Sequence, residues 1–168
     1  ATGAVAAWHA AARDYRPGLM LGTPQWYLIY FSFSVTVSLV LLFGAQMKLL
    51  AQEYDLPAPY FSLLIVLFPV ANGVSRVLAG MISDRFGRSV TMVVFYALLG
   101  LSILAILQFG HVPLVFVCLV ILASLLGGAP FALYPAVFGD FYGTRYATTN
   151  YGITYTAKAW AGLISGWL

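Results

Sequence analysis

Five long apolar segments, separated by short polar stretches, dominate this chain. Each has close to the roughly 20 residues that a helix needs to cross the apolar core of a bilayer. The pattern predicts an all-α transmembrane fold, with helices at about 25–47, 60–82, 90–109, 113–138 and 150–168. Thr23 and Pro24 form a favourable helix start for the first segment. Gly127, Gly128 and Pro130 are expected to bend the fourth.

The two ends of the chain differ from the apolar segments. Residues 1–22 are polar enough to form a connecting loop, and they lack the basic start and apolar core of a signal peptide. The chain does not begin with Met, and its last apolar segment stops at Leu168. We therefore expect a piece of a longer protein. In this interpretation, residues 1–22 form a cytoplasmic loop segment, and residues 23–168 form a partial transmembrane half with a truncated last helix.

Composition narrows the class of protein. The chain is 62% hydrophobic and 8% charged, whereas soluble domains carry about 25% charged residues. This balance predicts an integral, multi-pass membrane protein whose surroundings are the lipid bilayer. The sequence contains no metal-ligand spacing, phosphate-binding Gly-rich loop or activated nucleophile, so we predict no enzyme activity, cofactor or metal. Basic residues scattered over membrane loops also argue against nucleic-acid binding.

The basic residues outside the apolar segments predict the orientation in the membrane. Three loops that fall on one side of the membrane carry Arg13, Arg16, Arg85, Arg88 and Arg145. The opposite side has Lys48, which lies near two acidic residues, Glu53 and Asp55. Because cytoplasmic loops are enriched in Lys and Arg, the side with the five arginines is predicted to be cytoplasmic.

Two cations, Arg76 and Lys158, lie inside apolar segments that contain no acidic residue near them. A charge near the bilayer centre costs about 3 kcal/mol on insertion scales. Such residues are therefore expected to face a cavity, a partner or a transport pathway. We predict that the missing negative charge is an anionic cargo. The alternatives are a carboxylate elsewhere in the protein that pairs with Arg76, and extension of Lys158 toward the membrane surface.

Polar neighbours complete a candidate binding site around these cations. Asn72 precedes Arg76 by one helical turn and could orient its guanidinium, and the tyrosines before Lys158 continue a polar stripe. A guanidinium fork and an ammonium point charge together suit a small dicarboxylate. Tyr134 could donate a hydrogen bond into the cavity or simply pack. The candidate substrate-binding residues are Asn72, Arg76, Tyr134, Tyr151, Tyr155 and Lys158.

The loop between the second and third segments carries the pattern G-x-x-x-D-R-x-G-R, formed by Gly80, Asp84, Arg85, Gly87 and Arg88. The first glycine is expected to let helices approach closely, and the second to adopt a backbone conformation that other residues resist. The aspartate could pair with an arginine. We interpret these five residues as a conformational latch. A loop that only sets membrane topology is the alternative.

This loop resembles the signature of the major facilitator superfamily. Further segments are similar to the C-terminal half of the oxalate:formate antiporter family, namely TPQW at 23–26, NGVSR at 72–76, ALYP at 132–135, NYG at 150–152 and AKA at 157–159. The resemblance implies two six-helix halves, alternating access and a bacterial-type inner (plasma) membrane. It also implies that this chain supplies helices seven to eleven, that an N-terminal half is its missing partner, and that Arg76 and Lys158 bind substrate carboxylates.

One departure from that family concerns the pocket walls. The oxalate transporters have aromatic residues around positions that correspond to Gly127 and Phe131. Glycine and a phenylalanine without a hydroxyl predict a wider, less polar pocket, so a larger mono- or dicarboxylate becomes plausible. A proton-coupled monocarboxylate symporter of the same superfamily and a non-transporting membrane sensor on the same fold remain open. The isolated piece is expected to be inert.

Overall fold

The computed structural model describes residues 14–167, with side chains through Gly166. Most of the predicted loop segment at 1–22, including Arg13, therefore lies outside the described residues. Within them the chain is all-α. The helices, in chain order, are α1 (Pro17–Leu21), α2 (Pro24–Glu53), α3 (Ala58–Phe86), α4 (Arg88–Phe109), α5 (Pro113–Gly127), α6 (Pro130–Tyr142), α7 (Ala147–Tyr155) and α8 (Ala157–Trp167).

Four stretches of the described residues are long and apolar enough to cross a membrane. They are α2, α3, α4 and the combined stretch Pro113–Tyr142, which contains α5 and α6. The fifth apolar segment forms α7 and α8, which meet at Thr156 and are each shorter than a membrane span. The prediction of an all-α transmembrane fold is confirmed. Helix α3 extends beyond the predicted range of 60–82 at both ends.

The interruption between α5 and α6 occurs where the sequence predicted a bend. Helix α5 ends at Gly127, and α6 begins at Pro130. A Cβ atom at Gly128 would collide with the Asn72 carbonyl oxygen and lie 2.9 Å from the Cβ of Ser75 on α3. Glycine is therefore required at this position because the backbone of α3 passes too close for any side chain.

The packed interior consists of three small clusters rather than one large core. The cluster that joins α2, α6 and α8 contains Met20, Trp26, Phe33, Val37, Tyr134, Phe138, Tyr142, Ala157 and Ala161. Two further clusters join α3 and α5 with α4. Many large apolar side chains, such as Leu28, Val93 and Leu107, are exposed. Such an apolar exterior is suited to lipid rather than to water.

A chain of buried hydrogen bonds fixes the start of α2 against α7. The indole Nε1 of Trp26 donates to Thr154 Oγ1 at 2.9 Å, and that hydroxyl donates to the Asn150 carbonyl oxygen at 3.2 Å. The Asn150 amide in turn donates to the Tyr15 carbonyl at 3.1 Å. Thr154 therefore belongs to a packed helix face, although it lies close in sequence to Lys158.

Candidate functional site

An open groove of about 640 Å³ runs between α2, α3 and α8, and Phe131 of α6 also lines it. It is called the cation groove here because it holds Arg76 and Lys158. The groove is lined by Val40, Leu41, Gly44, Ala45, Phe68, Pro69, Asn72, Gly73, Arg76, Phe131, Lys158 and Ser165. Spacings of three to five residues along α2 and α3 place each group on one helical face.

Arg76 lies on the groove face of α3, between a polar and an aromatic neighbour. Its Nη2 donates to Asn72 Oδ1, one turn earlier, at 3.4 Å. Its guanidinium carbon lies 4.8 Å from the centroid of the Phe131 ring. The Asn72 amide nitrogen also donates to the Ser124 carbonyl on α5 at 3.4 Å. Asn72 therefore connects Arg76 to the packed helices behind the groove, and it lies where it can orient the guanidinium.

Lys158 reaches the same aromatic ring from the opposite wall. Its Nζ lies 5.5 Å from the Phe131 centroid and donates to the Tyr155 hydroxyl at 3.2 Å. The lysine follows the break at Thr156 by two residues, in the first turn of α8. Because both cations approach one ring, their charge centres can be no farther apart than the sum of the two centroid distances. The structure thus brings the two predicted cations together.

Neither cation has a carboxylate partner among residues 14–167. The ion pairs within those residues both involve Arg88, the first residue of α4. The groove lining contains two cations and no Asp or Glu. A π face and neutral oxygens hold the two charges in place but do not neutralise them. The arrangement can therefore accept an anion between the two cations.

The predicted tyrosines differ in their placement. Tyr155 contacts Lys158 directly, whereas Tyr151 is half-buried against Phe33, Phe138 and Tyr155, beside the groove rather than on its lining. Tyr134 does not reach the groove. It is fully buried, and its hydroxyl is 2.8 Å from Ser32 Oγ. The structure corrects the prediction of a cavity donor at Tyr134, because its hydroxyl already has a partner inside the core.

The structure also changes the interpretation of Gly127. Glycine at this position was expected to widen the pocket, but its missing side chain points at α2. A Cβ atom there would collide with Cγ2 of Val40. Space that a larger residue would take is thus already filled by Val40, which itself lines the cation groove. Val40 and Phe68 were not among the residues predicted from the sequence, although Phe68 lies one helical turn before Asn72 and its spacing could have indicated it.

The latch residues form a separate site at the ends of α3 and α4. Gly87 has φ +91°, which confirms the expected unusual backbone. Asp84 pairs with Arg88 at 3.8 Å, and Arg88 also forms an ion pair with Asp140 at the end of α6. Asp140 was not predicted from the sequence as a latch residue.

Two latch residues lie outside this charge pairing. Arg85 lies over the neighbouring Phe86 ring. The structure contradicts the expectation that Gly80 lets two helices approach closely. A Cβ atom there would meet nothing within 4 Å among the described residues, so the predicted close helix approach is not made by them.

Comparison with known proteins places these features in a family. The Major Facilitator Superfamily matches residues 3–166 of the chain. The chain is 28% identical over 160 residues to an oxalate:formate antiporter of Oxalobacter formigenes, a match that covers 93% of this chain and 38% of that protein. It is 29% identical over 158 residues to an uncharacterized 38 kDa protein in the 23S RNA operon of Thermoproteus tenax, a match that covers 90% and 40% respectively.

The chain spans about two fifths of the length of these curated relatives. Its family match, in contrast, extends over nearly the whole chain. The all-α architecture with membrane-length apolar helices agrees with that match. On these grounds the chain belongs to the Major Facilitator Superfamily, a family of membrane transporters.

Proposed function

We propose that this chain is part of a secondary transporter that binds small organic carboxylates between Arg76 and Lys158 and exchanges them across the membrane by alternating access. The observation that carries the proposal is the convergence of two cations without an acidic partner on the Phe131 ring. The likeness to an oxalate:formate antiporter supports carboxylate exchange as the type of transport.

Electrostatics explains how the anion would act. Two like charges that lie at most about 10 Å apart repel by about 1.5 kcal/mol or more at an effective dielectric constant of about 20. A bound carboxylate would remove this repulsion and form charge-assisted hydrogen bonds with the guanidinium fork. The ammonium of Lys158 would take a second negative oxygen, held in position by the Tyr155 hydroxyl. Substrate would thus lower the cost of closing the groove, and an empty carrier would close less readily.

The open side of the cation groove is not covered by any of the described residues. We propose that an N-terminal half of the same transporter covers it, with this chain supplying helices seven to eleven and residues 1–22 as a cytoplasmic central-loop segment. The proposed setting is a bacterial-type inner membrane. The chain's coverage of about two fifths of its relatives fits this arrangement. Most of the groove surface comes from only three helices, α2, α3 and α8.

Counterflow in proteoliposomes tests the proposal. The full-length transporter would be reconstituted with formate inside and labelled oxalate outside. We expect uptake that needs internal anion, disappears in Lys158→Ala and persists in Lys48→Ala, which removes a cation outside both the groove and the latch. Exchange of other carboxylates but not oxalate would support the anion site with a different cargo. Uptake driven by a pH gradient without internal anion would indicate a proton symporter. Absence of flux with every carboxylate would contradict the proposal.

A further inference from the structure

Val40 on α2 forms part of a thin wall between two spaces. One space is the cation groove, and the other is a small apolar void of about 10 Å³ enclosed by α2, α3, α4 and α5. Val40 and Phe68 line both spaces. These two side chains therefore separate the charged groove from an apolar void large enough for about one small group.

The Val40 side chain packs into the space left by the missing side chain of Gly127. A Cβ atom at Gly127 would collide with Val40 Cγ2 and lie 3.5 Å from both Val40 Cβ and Cγ1. The isopropyl group of Val40 thus fills the position of a side chain on α5. A residue larger than glycine at 127 is compatible with this packing only if residue 40 becomes smaller.

Phe68, the other half of the wall, is held more firmly. The Ser124 hydroxyl on α5 donates to the Phe68 carbonyl oxygen at 2.6 Å. Its ring also packs near Gly44 on α2, where a Cβ atom would lie 3.7 Å from Phe68 Cε1. Since Phe68 is fixed by its backbone and its ring, residue 40 is the position at which a substitution changes the wall with the least disturbance.

We propose that Val40 is a specificity-determining residue of the carboxylate site, because it sets the size of the apolar body that can accompany a carboxylate held by Arg76 and Lys158. This inference rests on the proposed carboxylate transport. Removing the two methyl groups of Val40 would join the groove to the apolar void. One methylene in an apolar pocket changes selectivity by about 10-fold or more, so a single substitution should reorder a series of carboxylates.

Competition in counterflow measures this selectivity. Unlabelled acetate, propionate and butyrate would compete with the labelled substrate of the full-length transporter. In Val40→Ala we expect the inhibition constant of butyrate relative to that of acetate to fall about 10-fold. Val40→Ile should change the ratio in the opposite direction. Val37→Ala is the matched control, because it makes the same deletion in the same helix at a fully buried position away from the groove.

A second pair of variants tests the packing of Val40 against Gly127. Gly127→Ala alone should lower the thermal unfolding midpoint, whereas the double variant Val40→Ala with Gly127→Ala should restore it. The outcomes separate the two claims. If no carboxylate competes with or drives transport in the unsubstituted protein, the proposed function fails, and this inference fails with it. If carboxylates compete but their order is the same in the Val40→Ala, Val40→Ile and unsubstituted proteins, the inference alone is overturned.

Discussion

Two of the arginines in helices α3 and α4, Arg76 and Arg88, have opposite environments. Arg88, at the helix junction, pairs with Asp84 and with Asp140. Arg76, three turns earlier, contacts an amide oxygen and the face of Phe131, and it shares that ring with a second cation. The first arginine is neutralised within the chain and connects helices. Arg76 has no acidic partner among the described residues although it lies inside an apolar segment, which is expected of a residue that binds an anionic ligand.

Greater burial does not mark the proposed binding charge, because Arg76 is exposed and Arg88 is only partly buried. The side chains of Arg88 and Asp140 are 31% and 28% exposed, so both are only partly buried. What differs is the nature of the neighbours. Carboxylates surround the arginine at the helix junction, whereas π faces and hydroxyl or amide oxygens surround the groove cations. A substitution at each arginine should therefore change a different property of the protein.

The largest effect is expected at Arg76. Arg76→Ala leaves Lys158 as the single cation of the groove lining and removes the guanidinium fork that would bind a carboxylate. Loss of one member of a charged pair typically costs about 2–5 kcal/mol of binding free energy. We expect carboxylate uptake in counterflow to fall at least about 30-fold. Arg76→Lys keeps the charge but loses the fork and should retain part of the activity. Uptake by Arg76→Ala equal to that of the unsubstituted protein would remove Arg76 from the site.

A smaller effect of a different kind is expected at Asp140. Asp140→Asn removes the ion pair with Arg88, and the free energy of unfolding should fall by about 1–2 kcal/mol because the pair is partly screened by solvent. Thermal unfolding in detergent measures this loss. Asp84→Asn is the matched control. Asp84 is 74% exposed and 3.8 Å from Arg88, so its loss should matter less. Carboxylate affinity should stay unchanged in both variants, and a lost affinity would contradict the comparison.

The smallest effect is expected at Tyr155. Tyr155→Phe keeps the ring beside Lys158 and removes the hydroxyl that accepts its hydrogen bond. A hydrogen bond contributes about 1 kcal/mol net, and the charge of the Lys158 donor adds little because Tyr155 is 38% exposed, so the half-saturation concentration for carboxylate uptake should rise about fivefold. Tyr134→Phe is the control, since its hydroxyl pairs with Ser32 away from the groove. An equal rise in both variants would show that neither hydroxyl acts at the site.

Much of this architecture could be predicted from the sequence because the bilayer imposes strong rules. Segment length predicted the four membrane-length stretches, whereas the fifth segment is divided at Thr156 into two shorter helices. The Gly-Gly-x-Pro sequence predicted the interruption after α5. The cost of an unpaired charge in lipid singled out Arg76 and Lys158. These inferences need only local sequence, so they do not depend on how the helices pack.

Features that depend on contacts between distant helices could not be predicted in this way. The partner of Arg88 at Asp140 lies 52 residues away in sequence. The burial of Tyr134 depends on Ser32 and Phe33 of α2, and the packing of Val40 depends on Gly127 of α5. A single sequence gives the helices but not their rotation or mutual register, and these decide which side chains reach the groove.

The most direct test of the central claim is to supply the missing negative charge from within the protein. Asn72→Asp places a carboxylate within reach of Arg76, whereas Asn72→Leu removes the hydrogen-bonding group without adding charge. The measurement is the thermal unfolding midpoint of the full-length transporter with and without oxalate, and with and without butyrate. Both variants lose the hydrogen bond from Asn72 to the Ser124 carbonyl. We therefore expect the midpoint of Asn72→Asp without ligand to exceed that of Asn72→Leu, and we expect Asn72→Asp to abolish the increase that carboxylates produce in the unsubstituted protein. An undiminished ligand-induced increase in Asn72→Asp would contradict the claim that an anionic cargo neutralises the two cations.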